Sequence, residues 1–163
     1  MKALSPDIVI HCVGPFQGQD YRVAEAALKA RCHYIDLADG RAFVTGFEQR
    51  FDGEAIDEAL VLVSGASTLP AISSAVIDAL GSRLASLDEI EISIAPAQRS
   101  PRGEATLKAV FSYLGRPFEW YLDGGWRTAI GWQELQRIRF KDLGTRWSAA
   151  CDVPDLDFPR TRY

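Results

Sequence analysis

Three short stretches of small and polar residues stand out in the first half of the chain. They are Gly14-Pro15-Phe16-Gln17-Gly18, Asp36-Leu37-Ala38-Asp39-Gly40-Arg41 and Ser64-Gly65-Ala66-Ser67-Thr68. Each follows a run of apolar residues. Glycines let backbone approach a bound molecule closely, and Ser and Thr hydroxyls both donate and accept hydrogen bonds. Taken singly, such stretches are also what tight turns with helix caps look like. Gathered on one sheet edge, they would form a binding site for a small molecule. Asp36 is the carboxylate with the most chemistry open to it. At the end of an apolar run it can anchor a cationic or hydroxyl group, or act as a general base. It can equally cap a helix beginning near Gly40 or pair with Arg41, and Asp39 is the better candidate for that cap.

Other chemistry-bearing residues are less well placed. His11 and Cys12 are neighbours on one predicted strand and point to opposite faces, so they do not readily serve one metal. With Cys32 and His33 they match no usual zinc spacing, and no metal site is expected. Cys12 reads as a small buried hydrophobe. Arg99, Arg102 and Arg116 flank a predicted helix and could clamp a carboxylate, or simply form a solvated rim. All four tryptophans lie between positions 120 and 147, which suits the core of a small sheet or the face of a dimer.

The elements that must carry these residues follow from periodicity. Asp7 to Val13 is a nearly continuous apolar run, the pattern of a strand buried on both faces, as in parallel sheets. Gln19 to Arg31 carries Val23, Ala24, Ala27 and Leu28 at one-face helical spacing. His33 to Leu37 reads as a second strand. Phe43, Val44, Phe47 and Phe51 stripe a second helix, with a break expected near Asp52-Gly53. Leu60 to Val63 is a third strand. A third helix, capped by Thr68 or Leu69, should bury Ile72, Val76, Ala79 and Leu80. This order implies right-handed parallel crossovers. From Ser86 the pattern changes. Ile90, Ile92 and Ile94 alternate with polar residues as in a half-buried strand. Residues 105–114 form an amphipathic helix, and two hairpins follow, turning at Asp123-Gly124-Gly125 and at Leu143-Gly144. The tail from Pro154 reads as an extended strap. The expected fold is α/β: the C-terminal part of a Rossmann-type parallel sheet over residues 1–84, then an α+β domain with a mixed or antiparallel sheet over 85–163.

Composition sets the outer limits. The 163 residues are 47% hydrophobic and 25% charged, with a formal net charge of −4. That is an ordinary globular balance, with enough apolar surface to exclude disorder over most of the chain. A basic stripe is missing, so nucleic acid is not an expected partner. The sequence has no apolar run long enough to span a membrane and no secretory leader pattern, and three cysteines form no dense framework; a cytoplasmic location is the expectation.

The ordered set of three motifs resembles the saccharopine dehydrogenase family of NAD(P)-dependent oxidoreductases. The first motif runs from Val13 to Ala26, the second is His33-Tyr34-Ile35-Asp36-Leu37-Ala38-Asp39-Gly40-Arg41, and the third runs from Ser64 to Ser74. Ile94-Ala95-Pro96 and the segment from Cys151 to Leu156 are similar to that group's second domain. The resemblance implies hydride transfer on an amino-acid-like or imine substrate. It implies that Gly14, Pro15, Phe16, Ser64 and Gly65 meet the nicotinamide end of the cofactor, and that Asp36 is the catalytic candidate. The family's glycine-rich phosphate loop is not in this sequence, since Gly14 to Gly18 has the wrong spacing and lies on a later strand. The chain therefore reads as a fragment that does not bind NAD(P) by itself and has no activity alone. The alternative is a non-catalytic association module, and in either case a homo-oligomer is expected. Two surfaces suggest how. Asp7 to Val13 should be left with an unpaired edge whose run from Ile8 to Val13 has almost no charge and no proline, and Trp120, Trp126, Trp132 and Trp147 should share a sheet face that buries a partner.

Overall fold

The computed structural model describes residues 4–97, 99 and 101–158. A three-stranded parallel sheet organises the first part: β1 (Ile8–His11), β2 (His33–Asp36) and β3 (Leu62–Val63), side by side in that order. The register is unshifted, with Ile8 opposite His33 and His11 opposite Asp36. Helix α1 (Arg22–Lys29) links β1 to β2, and α2 (Arg41–Thr45) and α3 (Phe47–Asp57) link β2 to β3. Helix α1 buries Ala24, Ala27 and Leu28, with Val23 packed beside them, as the spacing predicts.

All three helices cover one face of the sheet. Alternation along the strands sends Val9, His11, Tyr34, Asp36 and Leu62 to that face. The core there is aromatic: Tyr34 stacks on Phe47, and Phe47 meets Phe51 at a ring separation of 4.7 Å. The opposite face is bare. Ile8, Ile10, Val61 and Val63 are exposed, so the expectation of a strand buried on both faces is corrected. The apolar run codes for a covered strand, and this chain supplies a cover on one side. Cys12, expected to be buried, is exposed for the same reason.

The second helical stretch breaks at Gly46, not at Asp52-Gly53. A Cβ on Gly46 would lie 2.7 Å from the Tyr21 hydroxyl. That hydroxyl donates to the Phe43 carbonyl at 2.8 Å, giving it a donor from outside the helix. Gly53 lies within α3 with open space around it. After β3, a wide turn at Thr68–Ile72 leads into α4 (Ser73–Gly81). Ser67, not Thr68 or Leu69, precedes that turn as its cap position. No residue of α4 is buried, and its expected inner stripe of Ile72, Val76, Ala79 and Leu80 faces outward.

Residues 82–103 carry no strand among the described positions, so the strand expected at Ile90–Ile94 is not formed. Helix α5 (Glu104–Phe111) precedes two antiparallel hairpins, β4 (Pro117–Leu122) with β5 (Gly125–Ile130), and β6 (Gln136–Phe140) with β7 (Gly144–Ser148). The first turns at Asp123-Gly124, both at positive φ, the backbone that a tight two-residue hairpin requires. Trp120 pairs across from Arg127, and Tyr121 from Trp126, so Trp120 and Trp126 lie on opposite faces of this hairpin. Trp132 stacks on Phe111. The four tryptophans therefore do not share one face. The core of this part is small, with Phe118, Ala129 and Ala150 buried and Trp120 and Leu156 beside them.

The C-terminal segment folds back onto the first part. It forms a 3-10 turn at Pro154–Leu156, where an extended strap was expected, and Phe158 packs against the aromatic core. Residues 159–163 of that expected strap lie outside the described residues. No helix among the described residues is long and apolar enough to cross a membrane.

Candidate functional site

The unshifted register brings the ends of the three strands level, so the three predicted loops leave the sheet together. They interlock. The Asp36 carboxylate is fully buried. Its Oδ1 accepts from the Ala38 amide at 2.9 Å, the Gly65 amide at 2.8 Å and the Ser64 hydroxyl at 3.1 Å. One oxygen thus ties the loop after β2 to the loop after β3. Gly40 lies so close to the Phe16–Gln17 backbone that a Cβ there would come within 3.0 Å of it. Gln17 donates to Asp39 at 3.1 Å, which completes the tie between the first two loops. Gly65 has φ +78, and a Cβ on it would meet Pro70 at 3.0 Å.

Several site expectations change. Asp36 neither caps α2 nor pairs with Arg41; it organises the loops. Oδ1 is taken by three donors and the whole group is buried, so the carboxylate holds the loops in place. Asp39 accepts from Gln17, and α2 begins at Gly40 without a side-chain cap. The Phe16 ring is buried, edge-on to His11 at 5.1 Å and to Phe43 at 5.3 Å, so only its backbone faces the edge. Gly14, Pro15 and Ser64 are half-buried, and Gly65 is buried. Arg99, Arg102 and Arg116 are all exposed, and Arg102 donates to the Ala97 carbonyl.

Sequence reasoning missed the group behind Asp36. The Tyr34 hydroxyl lies 2.9 Å from His11 Nδ1, and both side chains are buried. Burial, with the neighbouring Asp36 charge, holds the Tyr34 phenol above its ordinary pKa, so it keeps its proton. The signal was present: His11, Tyr34 and Asp36 share one face by simple alternation along two paired strands. Sequence reasoning also missed the anchor of the second part. Arg41 donates to both Asp157 oxygens at 2.6 Å, to Asp152 at 3.2 Å and to the Glu119 carbonyl at 2.6 Å. Nearby, Ser73 hydrogen-bonds Asp155, whose carboxyl is pushed up from its ordinary pKa by burial.

The edge is short of donors. Among the described residues, four buried side-chain oxygens have no partner: Gln17 Oε1, Gln19 Oε1, Asp36 Oδ2 and Asp155 Oδ2. Three of them belong to the interlocked loops. An acceptor without a donor is costly when buried, and since these oxygens are enclosed by protein, a ligand bearing N–H groups would satisfy them only where the loops part. Concavity points elsewhere, to a groove of about 380 Å³ lined by Glu25, Leu28, Lys29, Arg31, Arg50, Glu54 and Glu58. Most of its charges are paired with one another, Arg50 with Glu25 and Glu54, and Arg31 with Glu58. The candidate site is the sheet edge, where the three loops meet. No protein-family description matches the chain, and no curated protein matches it either.

Proposed function

We propose that the three-loop edge is the nicotinamide-side half of an NAD(P)-dependent oxidoreductase site, of the saccharopine dehydrogenase kind, acting on an amino-acid-like or imine substrate. The observation that carries this reading is the donor deficit of the edge. A carboxamide, an ammonium or an iminium presents N–H groups, and the loops offer unmatched oxygens. The residues fit one end of such a cofactor only. Half-buried Gly14, Pro15 and Ser64, with the Phe16 and Gly65 backbone, would hold the nicotinamide ring. The pyrophosphate has no matching place: Asp20 precedes α1, Glu25 lies in its first turn, and Arg22 is held by Asp20 at 2.6 Å. NAD(P), when bound, supplies the hydride; this chain's part is to orient the ring and to exclude water, through loops fixed by Asp36.

Amide chemical shifts test this. Nicotinamide mononucleotide and NADPH are expected to move the amides of residues 14–18 and 64–66 with similar, weak affinity, while ADP-ribose leaves them unmoved. NADPH binding tighter than about 100 μM, roughly −5.5 kcal/mol, with ADP-ribose competing, would show that a phosphate site exists. Silence at both loops under nicotinamide mononucleotide would remove the reading. The competing reading, a non-catalytic association module, is favoured by the bare apolar face of the sheet.

A further inference from the structure

The chain carries two exposed apolar surfaces, one a sheet face and the other a helix stripe. One is the bare face of the parallel sheet, with Ile10 62% exposed and Ile8, Val61 and Val63 around it. The other is the outer stripe of α4, where Val76 is 50% and Leu80 55% exposed. A parallel sheet is normally covered by helices on both faces, and an amphipathic helix normally lies on such a sheet. Here the helix that follows β3 stands clear of the sheet it would be expected to cover.

Area gives the scale. A folded monomer of 18.0 kDa exposes about 8,000 Å² by the usual size scaling. This chain exposes 11262 Å². Part of the excess of roughly 3,000 Å² belongs to the irregular stretch at 82–103. Half of it is what one subunit contributes to an obligate dimer, for which roughly 2,000–5,000 Å² is buried in total.

We infer that two copies of this chain associate by reciprocal helix-on-sheet packing, α4 of each lying on the bare sheet face of the other. A two-fold interface requires that a surface i meeting j be matched by j meeting i, and a chain that bears both an uncovered sheet face and an uncovered helix stripe meets that requirement by itself. The partner is a second copy because both halves of the contact are on one chain. The inference stands whether or not the edge takes a nicotinamide ring, since the loops leave the ends of the strands and the bare surface is a flat face of the sheet.

The chain also carries its own reporter. Cys12 follows Ile10 by two positions, on the bare side, and is exposed in the single chain. The test combines sedimentation with thiol labelling read at Cys12 by peptide mass. The full chain is expected to sediment as a dimer at micromolar concentration, with Cys12 labelled at least tenfold more slowly than in an unfolded control. Ile10→Lys and Leu80→Glu each change an exposed side chain, so the fold is retained, as far-UV circular dichroism would check. Each is expected to weaken self-association at least tenfold and to free Cys12. An equimolar mixture of the two variants restores one intact helix-on-sheet contact, so it should form a heterodimer more readily than either variant dimerises alone. A monomer with fast-labelling Cys12 would overturn the proposal. So would a dimer that survives both substitutions with Cys12 reactive, which would place the interface on the hairpins, or protection of Cys12 only in the presence of a different protein.

Discussion

The two parts of this chain hold together in different ways. Residues 4–63 close around a continuous aromatic core, and the loops at the sheet edge are tied to one another by a buried carboxylate and two glycine contacts. Residues 104–158 have two hairpins over a core of three buried side chains, and they are fixed to the first part by one arginine, one buried acid and the Phe158 ring. In the first part apolar burial sets the geometry and polar groups refine it. In the second, local hairpin chemistry forms the elements, and a few polar contacts with one aromatic ring decide where they sit. A site that needs atoms held in place belongs in the first part, and that is where the donor-short edge is found.

Substitutions can break or sharpen that contrast. The largest effect is expected from Phe51→Ala, which removes a ring that is 1% exposed. It should cost about 3–5 kcal/mol in urea unfolding, whereas Trp147→Ala, at an exposed ring of the second part, should stay within about 0.5 kcal/mol. Equal losses at the two positions would erase the distinction. Next comes Asp36→Ala, which leaves the Ala38 and Gly65 amides and the Ser64 hydroxyl without their acceptor. A loss of about 2–3 kcal/mol is expected, and amide exchange at Gly65 should quicken. Asp36→Asn keeps an acceptor and should lose less; a change as severe as alanine would mean that the charge, not the hydrogen bonds, holds the loops.

Arg41→Ala should cost about 1.5–3 kcal/mol and separate the two parts. The expected sign is two unfolding transitions, and altered fluorescence from Trp126, whose ring lies 5.9 Å from the guanidinium. A single unchanged transition would show that other contacts dock the second part. The smallest effect is a pH slope. The Asp155 pKa is raised in the folded protein, so the folded state binds its proton more readily than the unfolded chain. Its contribution is complete below the ordinary carboxylate value of about 3.9 and is lost as pH rises through its raised folded value. Asp155→Asn should keep the low-pH stability and flatten the decline; an unaltered slope would assign the decline to another group.

Legibility in the sequence follows the range of the interactions. The strands around Val9, Tyr34 and Leu62, the inner face of α1 and the Asp123-Gly124 turn could be read because neighbours in sequence determine them. The α2–α3 break could not, since it depends on the hydroxyl of Tyr21 reaching the Phe43 carbonyl from another element. The alternation of Ile90, Ile92 and Ile94 was real, but a strand needs a neighbour to pair with, and none lies there among the described residues. Asp36 could be singled out as important, yet its partners Ser64 and Gly65 lie on a different strand end. Arg41 looked like a local partner for Asp36, and its carboxylates proved to be 111 and 116 residues away.

That last separation has a consequence for how the chain comes together. Closing a loop costs chain entropy that grows as the logarithm of its length, so joining Arg41 to Asp157 across 116 residues costs about 4 kcal/mol, against about 2 kcal/mol for the β4–β5 hairpin. The hairpins and the α1–β2 unit can form early and separately. The junction at Arg41 is then among the last native contacts made and among the first released, and the peptide bonds that a protease reaches first in the native protein are expected in residues 150–158 and in the 82–103 connection.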